Sequence, residues 1–384
     1  MILLGRNSAC LVDFFQNYII YYIGIVGLAF LLVITVIPSI IFTAIKYRLF
    51  DNADGYRKSH RIHISRLGGV AIFCSFTITT LLFAAMVDYK QANFLITSSI
   101  ILFALGLKDD LYGLNPLTKF LLQIVVASIL VVAGNFRLTS FYGVFYLWDV
   151  APLWGGLFSI LVIIFVNNAY NLIDGVDGLA GTLGAISTLC FGVFFAIADA
   201  YPYAFIAFAM FGAILGFLVF NYHPAKIFMG DTGSLIIGLV CGVLAIKFIN
   251  INKIGNTPDP NFYSAPGIAV AVIIVPVFDS LRIFFIRVMH KMPPFKGDRN
   301  HIHHRLQQLG FTTNQIVVAL SFFSGVMITL SLFMQHWGNF AVISVIIIIC
   351  VILNAIITYK IGKRRDRKYK LMDVILLDTF RIIK

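Results

Sequence analysis

The sequence predicts an all-α membrane protein, because it has little charge, high hydropathy and long apolar runs. Charged residues make up only 12% of the 384 residues, against 60% hydrophobic residues. A soluble chain of this length needs far more charge to cover its surface, and the mean hydropathy of +0.92 fits a lipid environment. Apolar runs of about 16 to 26 residues, long enough to cross a bilayer as helices, recur along the whole chain.

We predict about 11 transmembrane helices in a single multi-pass membrane domain that covers residues 1–384. The apolar runs lie at about 18–46, 68–88, 93–107, 117–134, 151–169, 179–198, 202–220, 232–250, 265–289, 314–335 and 338–359. The aromatic-rich alternation in 136–150 predicts a short periplasmic β-hairpin, and the composition of 360–384 predicts a basic cytoplasmic tail.

The basic residues determine the predicted orientation of the chain. The net charge is +12, but Lys and Arg stand at the ends of apolar runs, which indicates membrane topology and not nucleic-acid binding. The loops after odd-numbered runs, with the C-terminus, hold most of these residues, so we expect the N-terminus outside and the C-terminus in the cytoplasm. Of the 29 Lys and Arg residues, the exceptions are Arg6, Lys90, Arg137, Lys247 and Lys253.

The polar motifs all follow odd-numbered runs, which predicts one cytoplasm-facing active-site cleft. A random scatter of polar residues would not sort itself in this way. The motifs are DNADGYRKSHRIHISRLGG at 51–69, LKDDLYGLNPLTK at 107–119, NNAYNLIDGVDGLAG at 167–181, FNYHPAKIFMGDTGS at 220–234 and GDRNHIHHRL at 297–306.

Carboxylates stand next to each other at Asp109 and Asp110, at the end of an apolar run. Their mutual repulsion costs free energy unless a cation is near, although a solvated helix terminus explains such a pair equally well. Asp231 precedes Thr-Gly-Ser at the start of another run, where free amide groups would face an anion. A plain N-cap explains that single Asp just as well.

Three polar residues recur at a spacing of three in the motif NLIDGVDG. They are Asn171, Asp174 and Asp177. On a helical turn this spacing aims them towards one side, while the neighbouring glycines let a ligand approach the backbone. The alternative is an interfacial turn that is simply rich in Asn, Asp and Gly.

Imidazoles and a guanidinium form a donor-rich patch in the loop after the ninth run, at His301, His303, His304 and Arg305. This patch suits phosphate; zinc is the competing explanation, but the five Cys are scattered singly and the other candidate ligands are hard oxygens. Positive-inside topology accounts in part for further basic residues in the first loop. These are Lys58, His60, Arg61, His63 and Arg66.

Together, oxygen ligands and cationic side chains on one face predict phosphoryl transfer with a metal-bound diphosphate. Carboxylate and amide oxygens in small number suit Mg²⁺, with Mn²⁺ as the alternative ion. The sequence has no Walker loop, which fits the exchange of one phosphoanhydride for another without ATP. Asp279 lies within the ninth run with Arg282 one turn later, and we interpret this pair as structural.

The motifs KSHRIHISRLGG, KDD…K, NLIDGVDG, FMGDTGS and HIHHR, in this order, resemble those of the polyprenyl-phosphate N-acetylhexosamine-1-phosphate transferases. The resemblance covers about residues 18–360. It implies a helical cleft open to the cytoplasm of a bacterial cell, in the inner membrane. It also implies that a polyprenyl phosphate attacks the β-phosphate of a UDP-sugar and releases UMP. Ala53 and Ser65 stand where the family commonly has Pro.

The same resemblance assigns roles to individual residues. It implies that Asn171 and Asp231 hold Mg²⁺, that Asp109 and Asp110 activate or orient the acceptor phosphate, and that Lys119 binds phosphate. The remaining implied roles are Asp174 beside the metal, Asp177 at the uracil, Lys58 and His60 in the basic first-loop motif, and His301, His303, His304 and Arg305 in the loop that distinguishes sugars and grips the diphosphate.

The sequence HIHHR, in place of three consecutive His residues, resembles the branch that uses small N-acetylhexosamines, typically UDP-GlcNAc. The implied partners are a UDP-N-acetylhexosamine, undecaprenyl or another polyprenyl phosphate and membrane lipid, in the first membrane step of cell-envelope polysaccharide synthesis. Another UDP-N-acetylsugar, including UDP-MurNAc-pentapeptide, and homodimerisation stay open. The alternative of a different class is a secondary transporter, which would place ionisable groups near the membrane midplane and show related halves.

Overall fold

The computed structural model describes residues 4–49, 64–84, 91–144, 147–252, 262–289, 291 and 300–364. Within these residues the prediction of an all-α fold is confirmed. The helices are α1 Leu4–Tyr47, α2 Gly68–Phe83, α3 Ala92–Tyr112, α4 Pro116–Ser128, α5 Pro152–Ile173, α6 Leu179–Ile197, α7 Tyr201–Asn221, α8 Gly230–Ile251, α9 Ala265–Val272, α10 Ile274–Met289, α11 Ile302–Gln308, α12 Thr313–Phe333 and α13 Asn339–Arg364. A π-helical turn, Ile129–Ala133, extends α4.

Eight helices in the described part of the chain are long and apolar enough to cross a membrane. The bent pair α9–α10 would make a ninth span, and α2 is a shorter apolar helix. The chain is therefore a multi-pass membrane protein by the length and composition of its helices. The count of eleven spans is not confirmed.

The predicted β-hairpin in 136–150 is not confirmed either. Among the described residues of this stretch, which exclude 145–146, no strand forms. A single antiparallel bridge joins Ser140 to Asp149, and the backbone nitrogen of Phe141 donates to the carbonyl of Trp148 at 3.0 Å. The described residues of this stretch form a loop with one bridge.

The ninth apolar run is broken into α9 and α10, which meet at an angle of 82°. Pro276 explains the break, because it has no N–H to donate to the carbonyl of Val272, four residues earlier. Ser187 of α6 donates to that carbonyl instead, at 3.1 Å, and the Ser187 hydroxyl also hydrogen-bonds to Tyr170 at 2.7 Å. Buried hydrogen bonds of Ser187 therefore stabilise the break.

The centre of the bundle is formed by α7 and α8, whose side chains are mostly buried. Helix α7 packs against α1, α2 and α6, and α8 packs against α3 and α5. Gly106 lets α3 approach the start of α8, because a Cβ at this position would lie 2.5 Å from the Cα of Thr232. This close packing brings the end of α3 beside the first turn of α8.

Candidate active site

The N-terminus of α8 is capped by a carboxylate from a different helix. Asp110, at the end of α3, accepts hydrogen bonds from the backbone nitrogens of Asp231 at 2.8 Å and Thr232 at 2.9 Å. It also accepts from the Thr232 hydroxyl at 2.6 Å. These bonds satisfy N–H groups that have no partner within α8. Burial raises the pKa of Asp110 to about 6, against the opposing effect of these hydrogen bonds.

Two carboxylates share one ammonium group beside this cap. Lys119 donates to Asp109 at 3.1 Å and also contacts Asp231. Helix α4 carries Lys119 to this position, because it begins at Pro116 directly after the cap residue Asn115, whose side chain accepts from Leu117 at 3.0 Å. Burial, with the neighbouring Asp231 charge, raises the pKa of Asp109, and Lys119 opposes that shift.

Asn171 joins the same cluster from the last turn of α5. Its side-chain amide donates to Asp231 and to the hydroxyl of Ser234, both at 3.0 Å. The structure therefore brings together Asp109, Lys119, Asn171 and Asp231, which come from four different helices. The sequence predicted all four as site residues.

The loop 174–178 lies between α5 and α6 and carries both acidic residues of NLIDGVDG, Asp174 and Asp177. Gly178 adopts a φ of +77°, and its backbone nitrogen donates to the buried Asn221 side chain at 2.9 Å. Asp177 contacts the Nδ1 atom of His223 at 2.8 Å. Burial raises the pKa of Asp174 well above its ordinary value, and the negative charges of Asp231 and Asp110 raise it further.

A cavity of about 240 Å³ opens between this loop and the start of α8. Its lining combines three carboxylates, one guanidinium and one aromatic ring, so it offers partners for a charged and partly planar ligand. The lining residues are Arg66, Asp174, Gly175, Val176, Asp177, Asn221, Phe228, Met229, Gly230 and Asp231.

The short helix α11 presents a histidine to the edge of this cavity. His303 is 1% exposed, and a Cβ on Gly175 would lie 2.5 Å from its Nε2 atom. Its ring stacks on that of His301, with centroids 5.8 Å apart and planes 6° apart. Burial lowers the pKa of His303 to about 3, so the ring is neutral at physiological pH. Its Nδ1 atom is buried without a hydrogen-bond partner in the described part of the chain.

The other residues of the HIHHR motif face different surroundings. His301 contacts Asp279 at 2.8 Å through its Nδ1 atom. His304 contacts Gln307 at 3.2 Å. Arg305 is fully buried and donates to the side chains of Asn354 at 2.6 Å and Thr358 at 2.5 Å, both in α13. The guanidinium predicted to grip a diphosphate is thus engaged with a neighbouring helix.

Two predicted site residues, Lys58 and His60, lie outside the described residues. The structure adds cavity residues that the sequence did not single out, among them Phe228 and Asn221, and it places Arg66 of the first loop in the lining. His223 and Thr232 are further additions. The motif FNYHPAKIFMGDTGS contains four of these five residues, so the signal was present in the sequence.

The donor chemistry of the cluster fits a small, hard cation, although the described residues contain no group of three or more His, Cys, Asp or Glu that could hold a metal. Asp109 and Asp231 already share one cation, the Lys119 ammonium. Asn171 presents its amide nitrogen to Asp231. For Asn171 and Asp231 to hold one ion together, the amide of Asn171 would have to rotate so that its oxygen faces the ion.

Comparison with known proteins assigns the family. The model for glycosyl transferase family 4 matches residues 92–249, which carry the cluster described above. A relative from Bacillus subtilis (strain 168), named probable undecaprenyl-phosphate N-acetylglucosaminyl 1-phosphate transferase, is 32% identical over 303 residues, covering 77% of this chain and 79% of the relative. The chain belongs to glycosyl transferase family 4. The family expected from the motifs is therefore confirmed.

Two further relatives are similar to the chain over a comparable extent. The decaprenyl-phosphate N-acetylglucosaminephosphotransferase of Mycolicibacterium smegmatis is 32% identical over 301 residues, covering 71% of this chain and 73% of the relative. The undecaprenyl-phosphate alpha-N-acetylglucosaminyl 1-phosphate transferase of Escherichia coli (strain K12) is 28% identical over 305 residues, covering 76% and 80%.

Proposed function

We propose that this protein transfers N-acetylglucosamine-1-phosphate from UDP-GlcNAc to a polyprenyl phosphate and releases UMP. The names of the three relatives above, which share this reaction class, support the proposal. The motif HIHHR supports the small N-acetylhexosamine over a muramoyl-pentapeptide donor. The product would be the lipid-linked sugar that begins a cell-envelope polysaccharide.

One observation carries the proposal: Asp109, Lys119, Asn171 and Asp231 converge beside a polar cavity at one end of the helical bundle. Ionisable groups at the ends of apolar helices are costly unless they are paired or functional. Carboxylates, an amide and an ammonium group together match the needs of two phosphate-bearing substrates. The polyprenyl tail stays in the bilayer, so the acceptor phosphate reaches the cluster from the membrane interface.

On the acceptor side, we assign the reacting role to Asp109 and a positioning role to Asp110. Three donors already occupy the carboxylate of Asp110, whereas Asp109 faces Lys119. Asp109 orients or deprotonates the acceptor phosphate, and Lys119 offsets its charge. An acceptor oxygen then forms a bond to the β-phosphorus, the bond from that phosphorus to the bridging oxygen breaks, and UMP leaves with the bridging oxygen.

On the donor side, the 240 Å³ cavity is the proposed site of the nucleotide. Phe228 offers an aromatic face on which a base stacks, and Asp177 offers hydrogen-bond acceptors to the uracil. His223 holds Asp177 at 2.8 Å and so limits its rotation. Arg66 lies in the same lining and supplies positive charge for the diphosphate.

The proposed metal is Mg²⁺, with Mn²⁺ as the alternative, held by Asp231 and Asn171 with Asp174 beside it. Oxygen ligands and nearby phosphates suit these ions. When bound, such an ion neutralises diphosphate charge and stabilises the leaving UMP. The protein contributes the orientation of Asp231, since Asp110 fixes the first turn of α8 on which Asp231 lies.

We propose that His303 acts as a neutral hydrogen-bonding group towards the sugar diphosphate, with His304 next to it. Its low pKa argues against a permanent positive charge at this position. For Arg305 we propose a positioning role in place of substrate contact, because its guanidinium binds α13. Lys58 and His60 keep their proposed roles as basic residues of the first loop.

In the membrane, we propose that all eleven apolar runs cross the bilayer, with the N-terminus outside and the site on the cytoplasmic face of the bacterial inner membrane. The distribution of Lys and Arg supports this orientation. The helix ends that carry Asp109, Asn171, Asp231 and His303 meet at one end of the bundle, which is consistent with a single face.

The test is UMP release by the purified protein in detergent, with undecaprenyl phosphate and Mg²⁺. UDP-GlcNAc, UDP-GalNAc, UDP-MurNAc-pentapeptide and UDP-glucose are compared. We expect UMP with UDP-GlcNAc, dependent on the lipid phosphate and abolished by EDTA. If no UDP-sugar yields lipid-dependent UMP, the proposal is wrong, and that result would favour the transporter alternative. If the protein turns over only another UDP-N-acetylsugar, the proposed sugar is wrong and the proposed reaction class stands.

Replacing Gly175 with alanine is expected to lower kcat by about 10²-fold, because displacing a catalytic group by about 1 Å has effects of that order. The new Cβ would lie 2.5 Å from Nε2 and 2.9 Å from Cε1 of His303, which forces the ring away. Gly156→Ala is the matched control, since its Cβ would meet Val131 at an ordinary 3.5 Å. Equal kcat values for the two variants would remove His303 from the site.

A further inference from the structure

Asp279 is a buried carboxylate that the proposed chemistry does not use. It lies in α10 just beyond the helix break and is 3% exposed. Its Oδ1 atom accepts from the backbone nitrogen of Ile302 at 2.9 Å and from Arg282 at 3.1 Å, and its Oδ2 atom contacts Nδ1 of His301 at 2.8 Å. The sequence predicted a structural pair with Arg282. The structure keeps that pair and adds two contacts to the histidine-bearing segment.

These two contacts fix both a backbone and a ring. The bond to Ile302 holds the first turn of α11, and the bond to His301 holds the imidazole directly before that turn. A carboxylate accepts only, so in a neutral His301 ring the proton is on Nδ1 and Nε2 carries the lone pair. The arrangement fixes the tautomer as well as the orientation of the ring.

The orientation of His301 is passed on to His303. The two rings are parallel within 6°, at 5.8 Å between centroids, and His303 in turn reaches Gly175 in the cavity lining. The Nδ1 atom of His303 is buried and has no hydrogen-bond partner in the described part of the chain, so no bond at this atom fixes the ring. Packing against Gly175 and against the rings of His301 and His304, whose centroids lie 5.8 Å and 4.2 Å from that of His303, therefore determines where it lies.

The far end of α11 has an independent attachment. Arg305 is bound to Asn354 and Thr358 of α13 and contacts neither Asp279 nor the stacked rings through its hydrogen bonds. Weakening this attachment by removing the Asn354 side chain would loosen α11 without changing the tautomer of His301. The chain thus contains a control for the general stability of the helix.

We infer that Asp279 is a positioning residue for the transfer reaction, acting through the tautomer and orientation of His301 on the placement of His303 at the cavity. The inference rests on the proposed function. Through the contacts of Asp279 with His301 and Ile302, α10 and the break that precedes it are connected to the site. In Asp279→Asn the amide NH₂ would face Nδ1 of His301, which moves the ring proton to Nε2.

The experiment compares wild type, Asp279→Asn and Asn354→Ala. We expect Asp279→Asn to lower kcat by about 10- to 100-fold, the usual effect of losing such a supporting partner, with the KM for UDP-GlcNAc changed by less than about threefold. Histidine labelled with ¹⁵N reports the tautomer, with the His301 signals assigned by their absence in His301→Gln. The proton is expected on Nδ1 in wild type and in Asn354→Ala, and on Nε2 in Asp279→Asn.

The inference is overturned if Asp279→Asn keeps wild-type kcat, if its proton stays on Nδ1, or if its kcat loss only follows a loss of Tm as in Asn354→Ala. Should Asp279→Asn fail to fold, His301→Gln replaces it, and normal kcat in that variant overturns the inference. The tautomer is measured without turnover. A wild-type protein that releases no UMP would therefore contradict the proposed function separately.

Discussion

Replacing Asp231 with asparagine is expected to lower the kcat of UMP release by about 10³-fold, the upper range for losing one preorganised electrostatic group. Asp231 contacts both Lys119 and Asn171, so its charge is shared by the acceptor side and the proposed metal side of the cluster. Asparagine keeps the shape but removes the charge. Lys119 remains paired with Asp109, so the fold should be retained. Steady-state UMP release and Tm are the measurements.

Asp199→Asn is the matched control for this variant. Asp199 lies in the connection between α6 and α7, at the opposite ends of these helices from the site, and accepts from Tyr201 at 2.8 Å. It should retain wild-type kcat. The assignment of Asp231 fails if its asparagine variant turns over within about tenfold of wild type while Asp199→Asn behaves normally.

The adjacent carboxylates are expected to differ sharply when each is replaced by asparagine. In Asp110→Asn, one acceptor oxygen becomes an NH₂ that faces the N–H of either Asp231 or Thr232, so at least one buried N–H group is left unsatisfied at a cost of about 1–3 kcal/mol. Its Tm should fall along with its activity. Asp109→Asn can still accept from Leu114, so its Tm should hold while kcat falls by about 10²–10³-fold.

Thr232→Val completes this comparison, because it removes one of the three donors to Asp110 and leaves Asp109 untouched. It should lower Tm by less than Asp110→Asn. An Asp110→Asn variant with wild-type Tm would refute the capping role. If the Asp109→Asn variant is fully active, Asp109 does not have the reacting role, and either Asp110 has it or neither carboxylate does.

The helices were predictable because each apolar run is longer than the apolar runs of soluble proteins. For most helices the predicted and observed bounds agree to within a few residues. The break at Val272 was missed although Pro276 marks it, because a proline in an apolar run does not by itself require a bend: Pro38 lies inside the continuous α1. Helix α11 was missed because its seven residues are too short for a periodic signal.

Most residues of the site could be predicted from the sequence, but the residues that each of them contacts could not. Spacing in the sequence placed Asp109, Asn171 and Asp231 in loops of one face, and they do meet. The capping of α8 by Asp110 and the binding of Arg305 to Asn354 join residues far apart in the chain. Such pairings depend on how helices pack, and no local pattern encodes them.

The most direct measurement uses UDP-GlcNAc that carries ³²P at the β-phosphate and ¹⁴C in the sugar, with undecaprenyl phosphate and the purified protein. Transfer of sugar-1-phosphate predicts that both labels enter the organic phase in their starting ratio while UMP accumulates in water. Sugar label in the lipid without the β-phosphate label would mean transfer of the sugar alone. That result, or retention of both labels in water, would contradict the account.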